Sequence, residues 1–128
     1  YGTNSPIKVA AGIPLRNDSA KIIASVEKGY VIYTEPSENA GDVFVATLFP
    51  DGLDAIEKNS YTYINPKNNN KPETHQHILG ITTYRPDTPI TYYSGYGWTK
   101  FGFATEADFQ KYIENFGESL KQPLVVKY

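Results

Sequence analysis

A series of short runs rich in Tyr, Thr, Val and Ile, separated by turn residues, constrains the fold of this chain most strongly. β-branched and aromatic side chains favour pleated strands, whereas Gly, Pro and Asn favour turns. The 128 residues include 11 Tyr, 9 Pro and 10 Gly, which suits many short strands joined by tight connections. The pattern therefore predicts a mainly β protein, an antiparallel β-sandwich that forms a single unit over residues 1–128.

The predicted strands differ in how clearly the sequence marks them. Gly12 and Pro14 should end the first strand, and Gly29 suits a tight hairpin between the second and the third. The run 42–49 is mostly apolar, which predicts a strand covered on both faces. In chain order, the expected strands are 6–13, 21–26, 30–34, 42–49, 61–64, 74–84, 90–98 and 124–128.

Two further segments complete the predicted organisation around residues 53–72. Residues 53–58 suit a short helical turn. The Asn-rich run 65–72 predicts an exposed loop, because its polar side chains gain nothing from burial.

One segment near the C-terminus changes from strand-like to helical periodicity. Thr105 is suited to cap a helix that continues to about Lys121, and Pro123 should end it. The apolar residues recur at helical spacing and form one stripe, which predicts a core-facing amphipathic helix and no functional role. The stripe consists of Phe109, Tyr112, Ile113, Phe116 and Leu120.

Composition excludes several classes of function. The net charge is −2 and no Lys or Arg cluster stands out, so no nucleic-acid partner is expected. No apolar run approaches the roughly 20 residues of a membrane span. Without Cys there is neither a disulfide nor a thiolate metal site, and no cofactor-binding fingerprint or metal site is predicted. The absence of Met, even at position 1, predicts a processed start or a C-terminal fragment of a longer protein.

His75 and His77 are the only histidines and lie two residues apart in a predicted strand. Alternation along a strand puts both side chains on one face, and Glu73 would join them if the strand begins early enough. A metal pair needs this spacing, and acid/base chemistry needs at least one imidazole. Metal binding, a polar ligand-facing role and a structural role all remain compatible with the pattern.

The stretch Tyr92–Phe103 holds six aromatic residues, including the only Trp, among three glycines. On a strand, Tyr92, Tyr96 and Trp98 share one face. Such rings suit the wall of a ligand cleft, where Lys100 would donate to a polar oxygen, but they equally suit a core layer.

Four segments of the chain carry a family resemblance: His75–Ile81, Pro89–Lys100, Thr105–Ile113 and Leu120–Val126. They resemble the C-terminal part of a large domain-of-unknown-function family of exported proteins from polysaccharide-degrading Gram-negative bacteria. This resemblance implies a galactose-mutarotase-like β-supersandwich in a periplasmic or extracellular setting. It also implies that an N-terminal part of the same protein completes the fold.

The resemblance implies glycan breakdown as context, with ligand on the concave sheet face and His and acidic side chains as acid and base. The expected function is therefore a carbohydrate-active or carbohydrate-binding protein whose ligands are oligosaccharides or polysaccharide fragments. His75 and His77 are the acid/base candidates, whereas the candidates for ligand binding are Tyr92, Tyr96, Trp98 and Lys100.

Two alternatives stay open. A non-catalytic carbohydrate-binding module predicts exposed, coplanar rings without a buried acid/base pair. A structural or interaction domain predicts that Tyr96 and Trp98 are buried and that both histidines lie on an exposed loop.

Overall fold

The computed structural model describes residues 5–16 and 20–127 of the chain. Within these ranges the chain forms seven strands, one short 3-10 turn and one α-helix. The strands are β1 (Ile7–Leu15), β2 (Lys21–Ser25), β3 (Tyr30–Glu35), β4 (Val43–Leu48), β5 (Ala55–Asn65), β6 (Lys71–Tyr84) and β7 (Tyr93–Trp98). The 3-10 turn is Pro66–Asn68, and helix α1 is Glu106–Lys121.

The strands form two antiparallel sheets that pack against each other. One sheet has three strands in the order β1-β6-β5, and the other has four in the order β2-β3-β4-β7. Helix α1 packs on the four-stranded sheet, on the face that the three-stranded sheet does not cover. The predicted fold, a mainly β sandwich with one amphipathic C-terminal helix, is confirmed.

Strand β3 lies at the centre of these layers and is almost entirely buried. Tyr30 and Ile32 on one of its faces belong to the core beneath the helix. Val31 and Tyr33 on the other face belong to the core between the sheets. Strand β4 beside it is also buried on both faces, which confirms the prediction from its apolar run.

Helix α1 has the predicted bounds because local signals define both ends. The Thr105 hydroxyl accepts from the backbone N–H of Asp108, whose carboxylate accepts from the backbone N–H of Thr105 in return. Phe109 is buried and stacks on Phe44 with ring centroids 5.2 Å apart. Tyr112 is different from the rest of the stripe, since half of its surface is exposed. The prediction that the whole stripe is core was wrong at this residue.

Two predicted strand boundaries were wrong in the three-stranded sheet. Residues 53–58 form no helical turn, because β5 begins at Ala55 and pairs with β6 from there onwards. Gly12 and Pro14 do not end β1, which continues to Leu15. Strand β1 is an edge strand, and an edge accommodates the proline that lacks a backbone N–H.

The predicted last strand, 124–128, was also wrong over the described residues. Residues 122–127 form no regular element, and the Leu124 side chain is 98 % exposed. No described strand pairs with this segment, so its apolar side chains lack a surface against which to pack. Tyr128 lies outside the described residues.

The described part of the chain contains no helix long and apolar enough to cross a membrane.

Candidate functional site

The hairpin of β5 and β6 projects beyond the rest of its sheet. Strand β1 ends with Leu15 opposite Gln76, whereas β5 and β6 continue as a pair to Asn65 and Lys71. We call this two-stranded extension, residues 61–75, the arm. An Asn-rich turn closes it: the Asn65 side chain accepts from the backbone N–H of Lys67, and Asn69 and Asn70 take left-handed conformations. Asn tolerates that conformation better than most residues.

Pairing of β5 with β6 brings two Tyr and two His onto one face, three of them in the arm and His77 just beyond it. Tyr61 lies directly opposite His75, and Tyr63 lies opposite Glu73. His77 follows His75 by two residues and shares its face, as the sequence predicted. Ile78 on the opposite face belongs to the core between the sheets, so these side chains point away from that core.

The four rings contact one another and form what we call the ring cluster: Tyr61, Tyr63, His75 and His77. The Tyr61 ring centroid is 5.7 Å from that of His75 and 5.9 Å from that of His77, and its plane is tilted from theirs by only 24° and 10°. Tyr63 lies 5.2 Å from His75. Tyr61 is 50 % exposed and Tyr63 39 % exposed, so the cluster presents ring surface to solvent.

The Glu73 carboxylate lies beside the ring cluster and accepts hydrogen bonds from three donors. Its Oε1 accepts from Asn65 Nδ2 at 2.9 Å and from Asn68 Nδ2 at 2.8 Å. Its Oε2 accepts from the Tyr63 hydroxyl at 3.2 Å and lies 3.5 Å from His75 Nε2. The prediction that Glu73 shares the face of the histidines is confirmed.

These contacts shift two pKa values. The hydrogen bonds from Asn68 and Asn65 lower the pKa of Glu73, because they stabilise its charged form. Partial burial, and then the negative charge of Glu73, raise the pKa of Tyr63. At neutral pH the pair is therefore a carboxylate accepting from a neutral phenol.

A surface depression of about 530 Å³ lies next to the ring cluster, where β1 ends and the arm begins. Among the residues that line it are Arg16, Tyr61, Thr74, His75, Gln76 and His77. Within residues 5–16 and 20–127, no group of three or more His, Asp or Glu side chains is arranged to hold a metal ion.

The other predicted ligand-binding residues lie on or near β7, at the edge of the four-stranded sheet. Tyr96 and Trp98 share one face of β7, as alternation predicted, since they lie opposite Val45 and Val43. Tyr96 is 82 % exposed. Tyr92 precedes the strand and stacks on Phe49 with centroids 5.3 Å apart.

Trp98 and Lys100 have structural partners in the loop before β4. Trp98 is 40 % exposed, and its Nε1 donates to the Ala40 carbonyl at 2.8 Å. The Lys100 ammonium lies 5.8 Å from the centre of the Trp98 ring and donates to the Asn39 carbonyl at 3.3 Å. Both side chains therefore tie this loop to the end of β7.

The structure separates the two predicted sets of residues. His75 and His77 lie on the outer face of the three-stranded sheet, whereas Tyr92, Tyr96, Trp98 and Lys100 lie on or beside the edge strand of the other sheet. No contact among the described residues joins the two sets, so the described chain does not form one site from all six.

Sequence reasoning missed Tyr61, Tyr63 and Arg16 as candidates for the site. The Tyr residues carry the same two-residue spacing as the His pair, and the Asn-rich turn lies between the two pairs. Treating 61–64 and 74–84 as the two strands of one hairpin would have placed the pairs side by side. For Arg16 there was no signal, because its position depends on where β1 ends against β6.

Comparison with known proteins identifies relatives of this chain. It is 23 % identical over 120 residues to a protein of Formosa agariphila named "Uncharacterized protein P7". The alignment covers 93 % of this chain but only 28 % of that relative's length. No solved structure matches the chain. Residues 2–126 match the family described as Domain of unknown function (DUF4861). The family match covers nearly the whole sequence, and the chain therefore belongs to the DUF4861 family.

Proposed function

We propose that this protein binds carbohydrate through the ring cluster on the arm. The observation that carries the proposal is the geometry of Tyr61, whose ring lies nearly parallel to both imidazoles while half of its surface remains exposed. An aromatic ring attracts the apolar C–H face of a sugar, because both surfaces lose water on contact. Polar groups beside the ring then orient the sugar hydroxyls.

The cluster is also ordered before any ligand arrives. Its rings pack on one another, and the Tyr63 hydroxyl is fixed by Glu73. Rigid side chains lose little conformational entropy on binding, so more of the contact free energy appears as affinity. The imidazoles of His75 and His77 supply ring nitrogens as donors or acceptors for sugar hydroxyls.

The cellular setting is part of the same proposal. The family resemblance supports a role in polysaccharide breakdown in the periplasm or outside the cell, in a galactose-mutarotase-like protein longer than this chain. Oligosaccharides released from polysaccharide would be the ligands.

The purely structural alternative has less support. It expects Tyr96 and Trp98 to be buried and both histidines to lie on a loop. Instead Tyr96 is largely exposed and both histidines belong to β6. Tyr61 and Tyr63 belong neither to the core between the sheets nor to the core beneath the helix, so core packing does not account for their position.

Acid/base catalysis is a second candidate function, which the contact between Glu73 Oε2 and His75 Nε2 favours. A carboxylate next to an imidazole can orient it and stabilise its protonated form during proton transfer. In this version the sugar stacks on Tyr61 while His75 exchanges a proton with a hydroxyl or a ring oxygen.

The binding proposal is tested by isothermal titration calorimetry with a panel of neutral and acidic oligosaccharides. We expect Tyr61→Ala and Tyr63→Ala each to weaken binding about tenfold or more, since each removes a stacking surface. Phe101→Ala truncates a still more exposed ring outside the cluster and should leave affinity unchanged. Circular dichroism of every variant checks that the fold is retained.

Two results would contradict the proposal. Affinity that survives both Tyr61→Ala and Tyr63→Ala would exclude the ring cluster as the binding site. If Tyr96→Ala abolished binding instead, the carbohydrate-binding site would lie on β7.

The catalytic version is tested separately, by turnover of the same oligosaccharides. His75→Ala should abolish turnover while binding of the sugar is reduced only in part, and His77→Ala should have a smaller effect because only His75 contacts Glu73. Turnover that neither variant changes would exclude acid/base chemistry at this pair.

A further inference from the structure

The depression beside the ring cluster differs in charge from the protein as a whole. The chain carries a net charge of −2. Among the described residues that line the depression, however, there are one Arg and two His and no Asp or Glu. Glu73, the carboxylate of the arm, does not line the depression. Its oxygens already accept hydrogen bonds from Asn65, Asn68 and Tyr63.

Arg16 is the fixed positive charge of this surface. Its backbone N–H donates to the hydroxyl of the buried Tyr33 at 3.2 Å, which ties the residue to the core between the sheets. No Asp or Glu among the described residues lies within ion-pair distance of its guanidinium. An arginine that is anchored through its backbone and has no acidic partner among the described residues can accept an anionic group from a ligand.

A guanidinium matches the geometry of a planar or tetrahedral oxyanion, because two of its N–H groups donate in parallel. The imidazoles of His75 and His77 line the same depression and add ring nitrogens. Tyr61 borders the same depression, so a sugar stacked on its ring would carry its substituents over these polar groups.

We propose that the depression selects anionic oligosaccharides, those in which the sugar carries a carboxylate or a sulfate ester, and that Arg16 is the residue that recognises the charge. The inference rests on the proposed binding of carbohydrate by the ring cluster and names its substrate class. Carboxylate and sulfate share the chemistry that Arg16 recognises, and the experiment separates them.

The experiment compares three oligosaccharides of equal length by calorimetry: a neutral one, an oligouronate and a sulfated one. We expect at least one anionic oligosaccharide to bind about tenfold or more tightly than the neutral one, because hydrogen bonds to a charged group are stronger. Arg16→Gln should remove this preference, so that the anionic oligosaccharide binds no more tightly than the neutral one. Raising the salt concentration should weaken only the anionic complexes.

Arg85→Gln is the matched control. It removes the same charge from the turn after β6, beside a different depression. The anionic preference should persist in this variant. Equal loss in Arg85→Gln and Arg16→Gln would show that net charge alone attracts the ligand, and the inference would be wrong.

The remaining outcomes separate this inference from the proposed function. Neutral and anionic oligosaccharides that bind equally, and that Tyr61→Ala weakens equally, would leave carbohydrate binding in place but exclude the selectivity. No binding of any oligosaccharide would exclude both. Free sulfate or acetate binding as tightly as the charged sugars would reveal a general anion site, which would also overturn the inference.

Discussion

Strands β5 and β7 each carry large aromatic side chains two residues apart, yet only β5 builds a cluster from them. Beside Tyr61 and Tyr63, the neighbouring strand places two imidazoles that stack on the phenol rings. Beside Tyr96 and Trp98, the neighbouring strand places valines, and the two rings do not stack on each other. The same spacing therefore produces a ring cluster only where the partner strand supplies rings in register.

The two strands also differ in what covers their other face. Gly97 on β7 lies under the rings of Phe103 and Phe109, so the helix holds this strand in place. The arm has exposed residues on both faces and no covering layer. Strand β7 is therefore built into the fold, whereas the arm presents its rings to solvent. The predictions below test this contrast, beginning with the largest expected effect.

Gly97→Ala should lower the free energy of unfolding by about 1–3 kcal/mol, because overpacking a close contact forces the surroundings apart. A Cβ at this position would lie 2.8 Å from the Phe103 ring and 2.9 Å from the Phe109 ring. Gly95→Ala is the matched control on the same face of the same strand, where a Cβ meets nothing within 4 Å. Urea unfolding measures the free energy of unfolding of both variants. Equal values would show that the rings of Phe103 and Phe109 do not pack tightly on β7 at Gly97.

Trp98→Ala should lower the free energy of unfolding by about 1–2 kcal/mol, less than the roughly 3–5 kcal/mol of a fully buried ring. It removes the hydrogen bond to Ala40 and the ring over which the Lys100 ammonium lies. Tyr96→Ala, on the same face, should change stability by no more than about 0.5 kcal/mol, because its ring is exposed. Thermal unfolding measures both. A reduced affinity for oligosaccharide in Trp98→Ala, without loss of stability, would instead assign Trp98 to ligand binding.

The smallest effect is a loss of order in the arm at low pH. Because the folded-state pKa of Glu73 is lowered, its carboxylate stabilises the arm above the unfolded-state pKa, and this stabilisation disappears as the pH falls through the folded-state value. The protection of the arm's backbone amides against hydrogen exchange should therefore decrease below about pH 4 in the unsubstituted protein. Glu73→Gln cannot ionise and should show no such change.

Glu57→Gln is the control for the pH experiment. It removes a carboxylate from β5, the strand paired with the one that carries Glu73, but Glu57 makes none of the bonds that hold the arm turn. Its exchange profile should follow that of the native protein. An acid-induced change that persists in Glu73→Gln would show that other groups order the arm.

Much of the fold and part of the site could be predicted because their signals are local. Thr105 and the apolar stripe predicted the bounds of α1, since capping and helical spacing act within a few residues. Alternation alone put His75 and His77 on one face, because it depends only on the strand being extended. The strand at 53–58 was missed, since Ala55 and its neighbours are extended through pairing with β6 and not through their own preference.

The sequence by itself determined that this chain is a mainly β protein with one C-terminal helix, and that its two histidines lie on one face of a strand. Only the tertiary structure decided that Tyr61 meets those histidines, that Arg16 borders the same depression, and that Trp98 is tied to Ala40. The physical reason is the sequence separation between the residues that interact. Periodicity and capping depend on residues that are close together in the chain. Strand register, and the point at which one strand extends beyond its neighbour, depend on partners that are distant in the chain.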